Sequence, residues 1–271
     1  MISVLILTHN EELDLPGCLD SVAWSDDVHV FDSLSTDRTA EIAREHGANL
    51  VERRFDNYAS QRNAALAGLP FRYPWVFMLD ADERPTPELV AEMQQAVAQA
   101  SDDIAAYRMP RHDLWRQKWL KHAPLSPFNI RLLRSDKVQF VRNINELLEI
   151  NGEVGELSHW FNHYPFSKGM AFWLEKHNRY STMEAVVVAE GASKKDASWR
   201  KALLGRDFHE RRRAQKALFY QMPARPIIKW LYVVLVRRAL LDGRAGITYA
   251  TLQALYEYMI VLKTKEILDK Q

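Results

Sequence analysis

Apolar runs and polar breaks alternate with a steady rhythm over the first hundred residues. Residues 2–7 are a β-branched and leucine run that stops at Thr8, His9, Asn10, Glu11 and Glu12, the pattern of a buried strand opening onto a polar turn. The spacing then predicts a helix over 13–23 and a strand over 28–31 that ends at Asp32. A helix follows with Ser35 or Thr36 as its N-cap and runs to His46. Gly47 closes it, 48–53 is a third strand, and 57–69 is a helix carrying Gln61, Arg62 and Asn63. The fourth strand, 75–79, runs straight into Asp80, Asp82 and Glu83. Strand alternating with helix predicts an α/β protein with a mainly parallel, doubly wound sheet.

Further along, the pattern predicts a helix over 88–100 and strands over 105–108 and 129–133. Between those strands lies HDLWRQKWLKHAP (112–124), rich in Trp and basic residues. It reads either as one wall of a groove offering aromatic faces to a ligand or as a packed surface turn. Residues 167–190 form a helix with Phe172, Trp173, Lys176 and Tyr180 at helical spacing. A basic amphipathic helix starts at Trp199, Pro223 and Pro226 break it, and an apolar run occupies 227–241. That run is too short, and too punctuated by Lys229, Arg237 and Arg238, to span a bilayer. With Trp230 and Tyr232 it suits a helix lying at the headgroup level of an anionic membrane surface. The alternative is a helical hairpin with 248–265 that packs on itself or forms a homodimer.

The chemistry collects at strand ends. Thr8, Glu11, Asp32, Asp80 and Asp82 each follow a predicted strand, and in an open α/β sheet such ends share one crevice. Two carboxylates one residue apart can hold Mg²⁺ or Mn²⁺, which usually also grips a substrate's phosphates. A solvated acidic turn is the alternative for an isolated pair; the other strand-end groups favour the metal. No glycine-rich fingerprint follows the first strand and no P-loop is present, so a nucleotide here would be held by side chains and a metal.

Composition narrows this little. With 47% hydrophobic and 11% aromatic residues among 271, the chain has ample material for a core. A single Cys18 excludes an intramolecular disulfide framework and suits a reducing compartment. The start, MISVLILT, lacks the basic leader of a signal peptide. The net charge of +1 hides a basic stretch from Asp196 to Arg244 in which the only acids are Asp196, Asp207, Glu210 and Asp242. That imbalance points to a negatively charged surface as partner rather than to a nucleic acid.

Four motifs, THNEE (8–12), DSLSTDRT (32–39), QRNAAL (61–66) and DADE (80–83), occur in this order. As a set they resemble family 2 glycosyltransferases of the GT-A fold, in particular the lipopolysaccharide core β-glucosyltransferases. NRYSTMEA (178–185) and LLDGRAGI (240–247) extend the likeness. The resemblance implies a GT-A catalytic domain over 1–165, with a nucleotide-sugar half to about 100 and an acceptor half beyond, and a helical, basic extension over 166–271. It implies that Thr8, Glu11 and Asp32 hold uracil and ribose, that Arg62 approaches the diphosphate, and that Asp80 and Asp82 hold ribose and metal. Asp37 reads instead as a helix-start carboxylate.

Where the family places a His-Glu pair with Glu as base, this chain has Asn145 and Glu146. Glu146 is the expected base for an inverting transfer, with Glu149 as its rival. His159 or His163 would add a metal contact, and His163 is preferred. The implied donor is a UDP-sugar, with UDP-glucose expected. The implied acceptor is a lipid-linked saccharide, reached by a protein peripheral on the inner face of the bacterial inner membrane. A nucleotidyltransferase would show a glycine-rich basic loop where THNEE stands. A non-catalytic membrane-associated scaffold would have no use for Asp32, Asp80, Asp82 and Glu146.

Overall fold

The computed structural model describes residues 1–141, 147–190, 198–204 and 208–270. These fall into two compact units, Met1–Trp119 with Ser126–Ser167, and Leu120–Leu125 with Lys168–Gln271.

The first unit begins with β1 (Ser3–Thr8), α1 (Leu15–Ser21), β2 (Val28–Asp32), α2 (Thr39–Glu45), β3 (Asn49–Glu52), α3 (Tyr58–Gly68) and β4 (Trp75–Asp80). After these come β5 (Glu83–Pro85), α4 (Pro87–Gln99), β6 (Ile104–Trp115), β7 (Lys118–Trp119) and β8 (Phe128–Arg134). β9 (Val138–Val141), β10 (Leu147–Ile150), β11 (Glu153–Glu156) and β12 (Phe161–His163) complete it. The main sheet has the order β3-β2-β1-β4-β8-β6-β12-β5, with β7 and β11 also paired to β6. Strands β3, β2, β1 and β4 are mutually parallel, and β8 runs antiparallel to both β4 and β6.

Both faces of β1 and β4 are covered, which is why their sequences are continuous apolar runs rather than alternating ones. Val4, Ile6, Phe77 and Leu79 pack with Leu15, Cys18 and Leu19 of α1. Leu5, Val76 and Met78 pack with Ala65 and Leu66 of α3. The register pairs Thr8 with Asp32 and Leu7 with Asp80, so the carboxyl ends of β1, β2 and β4 reach the same rim.

Two local expectations change. Helix α2 starts at Thr39, and neither Ser35 nor Thr36 caps it. The Ser35 hydroxyl and N–H donate to Asp32, and Thr36 donates to Asn10, so both are spent on the loop instead. Strand β6 continues to Trp115, well past Arg108, because β8, β11 and β12 all pair with it and carry it through Pro110. The stretch 112–124 is therefore half strand, turning into β7.

The second unit contains α5 (Gly169–Ala189), α6 (Trp199–Leu204), α7 (Phe208–Gln221), α8 (Arg225–Leu231) and α9 (Gly243–Leu268). The apolar run 227–241 is not one helix. After α8 it makes a π-helical turn over Tyr232–Val236, breaks at Arg238 (φ 61°) and re-forms as a 3₁₀ turn over Ala239–Asp242. Helices α5 and α8 pack along α9, and Trp230 donates its indole N–H to Thr251 at 3.2 Å. Among the described residues no helix is long and apolar enough to cross a membrane.

Asp242 gathers the backbone N–H groups of Lys121, His122 and Ala123 at 2.8–3.2 Å and the His122 ring at 2.9 Å. Arg237 adds a bond to the Pro124 carbonyl at 2.6 Å. Segment 120–125 is thereby part of the second unit. One turn beyond Asp242, a Cβ on Gly246 would overlap the Ala239 carbonyl and come within 2.7 Å of the Asp242 Cβ. Gly246→Ala should accordingly destabilise this unit by about 1–3 kcal/mol, read as a lower midpoint in urea unfolding; an unchanged midpoint contradicts the close approach.

Candidate active site

The rim at the ends of β1 and β2 is built around a buried carboxylate. Asp32 is wholly buried. It accepts from the Thr8 hydroxyl at 2.7 Å, the Ser35 N–H at 2.7 Å and the Ser35 hydroxyl at 2.6 Å. The loop after β1 is tied to the loop after β2 by Asn10 N–H to Ser35 (2.8 Å), Glu11 N–H to Thr39 (2.7 Å) and Glu12 N–H to Asp37 (3.1 Å). Asp37 also accepts from the Thr39 N–H at 3.0 Å and from its hydroxyl. Burial alone would raise the Asp37 carboxyl, but these donors hold it below its ordinary value. THNEE and DSLSTDRT thus form one cross-braced rim.

At the end of β4 the acids are organised by arginines. Arg131, on β8 and itself buried, reaches Asp80 at 2.7 Å and Glu83 at 2.5 Å. Glu83 is 1% exposed, and its other oxygen accepts the Asp80 N–H at 3.0 Å, closing the DADE turn. Burial pushes the Glu83 carboxyl up even against the Arg131 charge. Arg62, from α3, lies 3.4 Å from the other Asp80 oxygen and over the Phe140 ring at 5.4 Å. Asn63 fixes β9 to α3 by exchanging hydrogen bonds with the Phe140 carbonyl and N–H at 2.7 and 2.8 Å.

Asp82 faces His163, whose Nε2 lies 3.5 Å away. Asp113 of β6 accepts from His163 Nδ1 at 2.7 Å and from Arg111 Nη2 at 3.1 Å, and its other contact with Arg111 is 2.7 Å. Burial would lower the His163 pKa, but the Asp82 charge and the Asp113 hydrogen bond raise it to about 9. A histidine with one ring nitrogen on a carboxylate and the other beside an acid is the arrangement that orients metal-binding imidazoles. His159 is engaged elsewhere, with its ring and backbone N–H on Glu92 at 2.9 and 2.8 Å. Among the described residues no cluster of three His, Cys, Asp or Glu could hold a metal. Asp82 and His163 are the residues that could hold Mg²⁺ or Mn²⁺, with a substrate's phosphates supplying the other ligands such hard ions require.

The structure thus brings Thr8, Asp32, Arg62, Asp80, Asp82 and His163 to the carboxyl edge of the sheet and adjoining β12, with Glu11 on the cross-braced loop. Glu146 lies outside the described residues, between the ends of β9 and β10; Glu149 is exposed on β10. Arg131, Asp113 and Arg111 were not foreseen. The one available signal was a charge inside each strand-like run, NIRLLR and RHDLW.

Residues 3–154 match glycosyl transferase family 2, and with more than half of it covered the chain belongs to that family. The lipopolysaccharide core biosynthesis glycosyltransferase LpsC of Rhizobium meliloti is 27% identical over 192 residues, 68% of this chain and 70% of that one. An uncharacterized glycosyltransferase of Rickettsia typhi is 33% identical over 148 residues, 53% of this chain and 50% of that one, so the match spans about half that relative's length. The crystal structure of S. aureus TarS 1-349 covers 95% of this chain and 90% of that one at 16% identity, with a TM-score of 0.46.

Replacing Arg131 by Met leaves Glu83 buried without its cation, which should cost about 3–5 kcal/mol in chemical denaturation. A loss below 1 kcal/mol would show that water reaches Glu83.

A second outcome concerns His112, stacked between Trp119 and Trp160 and lowered by burial to about 4. Its folded pKa lies below the ordinary 6.5, so the unfolded chain binds the extra proton first. The stability it carries is complete above pH 6.5 and fades as pH falls toward 4. Between pH 7 and 5 the wild type should lose about 1–2 kcal/mol more than His112→Phe; equal losses contradict a neutral, stacked ring.

Proposed function

We propose that this protein transfers a sugar, with inversion, from a UDP-sugar to a lipid-anchored saccharide of the lipopolysaccharide inner-core type. UDP-glucose is the expected donor. The observation that carries the reading is the convergence of Thr8, Asp32, Arg62, Asp80 and Asp82 on one sheet edge, with His163 beside Asp82. The LpsC relative supports the acceptor class, because its name places it in lipopolysaccharide core synthesis and the match covers most of both chains.

In this reading the first unit is the catalytic one. Thr8, Glu11 and Asp32 receive the uridine. Asp32 gives three of its about four acceptor positions to Thr8 and Ser35; because it is wholly buried, the uracil N3–H would reach the fourth as the Ser35 loop gives way. Arg62 lies against the diphosphate, where a guanidinium makes paired charge-assisted bonds. Asp80, held in place by Arg131 and Arg62, would meet the ribose with the exposed part of its carboxylate. A divalent ion held by Asp82 and His163 would neutralise the departing UDP. Glu146 takes the proton of the attacking hydroxyl as the new glycosidic bond forms and the bond to the diphosphate breaks.

The second unit holds the protein on the inner face of the inner membrane, in reach of its acceptor. Ile227, Leu235, Val236, Leu240 and Leu241 are exposed there next to Arg238 and Arg244, a mixture that suits anionic headgroups. The alternative use of this face, pairing with a second copy, would appear as a dimer without lipid.

The test is transfer of radiolabelled glucose from UDP-glucose to purified lipooligosaccharide, with and without EDTA. Turnover should vanish with chelator and in Asp82→Ala. Glu146→Gln should lower transfer about 10²- to 10⁴-fold while UDP binding persists. Full transfer by Glu146→Gln puts the base elsewhere, and chelator-resistant turnover removes the metal.

A further inference from the structure

The far end of β6 carries side chains that the nucleotide site does not use. Along this strand Arg111 and Asp113 point to the His163 side, as their contacts require. His112 points the other way, its ring lying 3.8 Å from Trp119 and 4.5 Å from Trp160 with near-parallel planes. Alternation returns Trp115 to the Asp113 side, about 7 Å further along the strand. There its half-buried ring meets Phe166 edge to face, with centroids 4.4 Å apart. Phe166 sits in the turn that follows His163, held by Ser167 on Asp14 at 2.6 Å and by Arg84 over Tyr164 at 4.3 Å. Two chain segments leaving the Asp113–His163 pair thus rejoin as an aromatic corner.

The turn between β6 and β7 is strained in a telling way. Its two central residues, Arg116 and Gln117, have φ of 45° and 68°, a conformation that two-residue hairpins normally give to Asn and Gly. Neither residue is suited to it, and backbone outliers of this kind persist only where their surroundings hold them. The holding contact is the ring stack on the opposite face, which fixes Trp119 against His112 and Trp160. The result is a stiff hairpin with Arg116 and Lys118 exposed at its tip and Trp115 at its base.

We propose that Trp115 and Phe166 form the acceptor subsite, stacking on the C–H face of a pyranose, and that Arg116 and Lys118 select saccharides bearing negative charge. An aromatic face is electron-rich and attracts such weakly positive C–H edges, and exposed cations complement phosphate or carboxylate substituents. The sheet order assigns this corner to the acceptor rather than the donor. The uridine rim belongs to β1, β2 and β4, whereas β6 lies beyond β8. The assignment rests on the proposed donor site, so the two need separate readouts.

The experiment titrates the full chain with UDP and, separately, with delipidated lipopolysaccharide core oligosaccharide in phosphorylated and dephosphorylated forms, by calorimetry. Wild type, Trp115→Ala, Trp115→Phe and Arg116→Ala/Lys118→Ala are compared, with thermal unfolding to establish that each folds. Trp115→Ala should weaken phosphorylated oligosaccharide at least 10-fold, and Trp115→Phe less than 3-fold. The double variant should lose affinity for the phosphorylated form only. UDP affinity should stay the same throughout. If Trp115→Ala does not fold, a double variant that binds both oligosaccharides as wild type does overturns the proposal. Unaltered oligosaccharide binding by folded Trp115→Ala overturns it, as does a parallel loss of UDP binding or failure of the wild type to bind either oligosaccharide. Failure to bind UDP at all instead sinks the donor reading.

Discussion

A buried arginine makes the acidic edge of this protein possible. Asp80, Asp82 and Glu83 crowd one turn at the end of β4, and Glu83 is removed from water. Unpaired carboxylates so placed would protonate or push the turn open. Arg131 prevents both by spanning Asp80 and Glu83. It comes from β8, the antiparallel neighbour of β4, so the change of strand direction in the sheet is what delivers the counter-charge. With Asp80 and Glu83 committed to Arg131 and the turn closed on the Asp80 N–H, Asp82 is left on the side facing His163.

That division of labour accounts for what could be read from the residues alone. Strands β1, β2 and β4 were legible because each is a short apolar run buried in the sheet that ends at a polar group, whereas β3, largely exposed at the sheet edge, was legible from the Gly47 that closes the helix before it. The rim residues were legible for the same reason. Arg131, Asp113 and Arg111 were not, since their roles depend on which strands lie side by side, and strand order is not written in local periodicity. The N-cap of α2 was misplaced because Ser35 and Thr36 have the right side chains but a stronger use for them at Asp32 and Asn10. The run 227–241 looked like one helix from its hydrophobicity; the break at Arg238 reflects the following Asp242, which is occupied in binding segment 120–125.

The two sides of the first unit differ in how they are stiffened. The edge at the ends of β1 and β2 relies on hydrogen bonds between loops, with Asp32, Asp37 and Ser35 among the acceptors. The side beyond β8 relies on rings, with His112 between two tryptophans and Trp115 against Phe166. His163 stands between these regimes, one nitrogen toward Asp82 and the other on Asp113.

In the proposed reading the pair Asp82–His163 is half of a metal site, and the diphosphate would supply the remaining ligands. Electron paramagnetic resonance of Mn²⁺ with the purified chain, titrated with and without UDP, addresses that directly. Mn²⁺ should bind weakly alone and markedly tighter when UDP is added, and His163→Gln should lose that gain. Tight Mn²⁺ binding without nucleotide, or a UDP-dependent gain that survives His163→Gln unchanged, would contradict that reading.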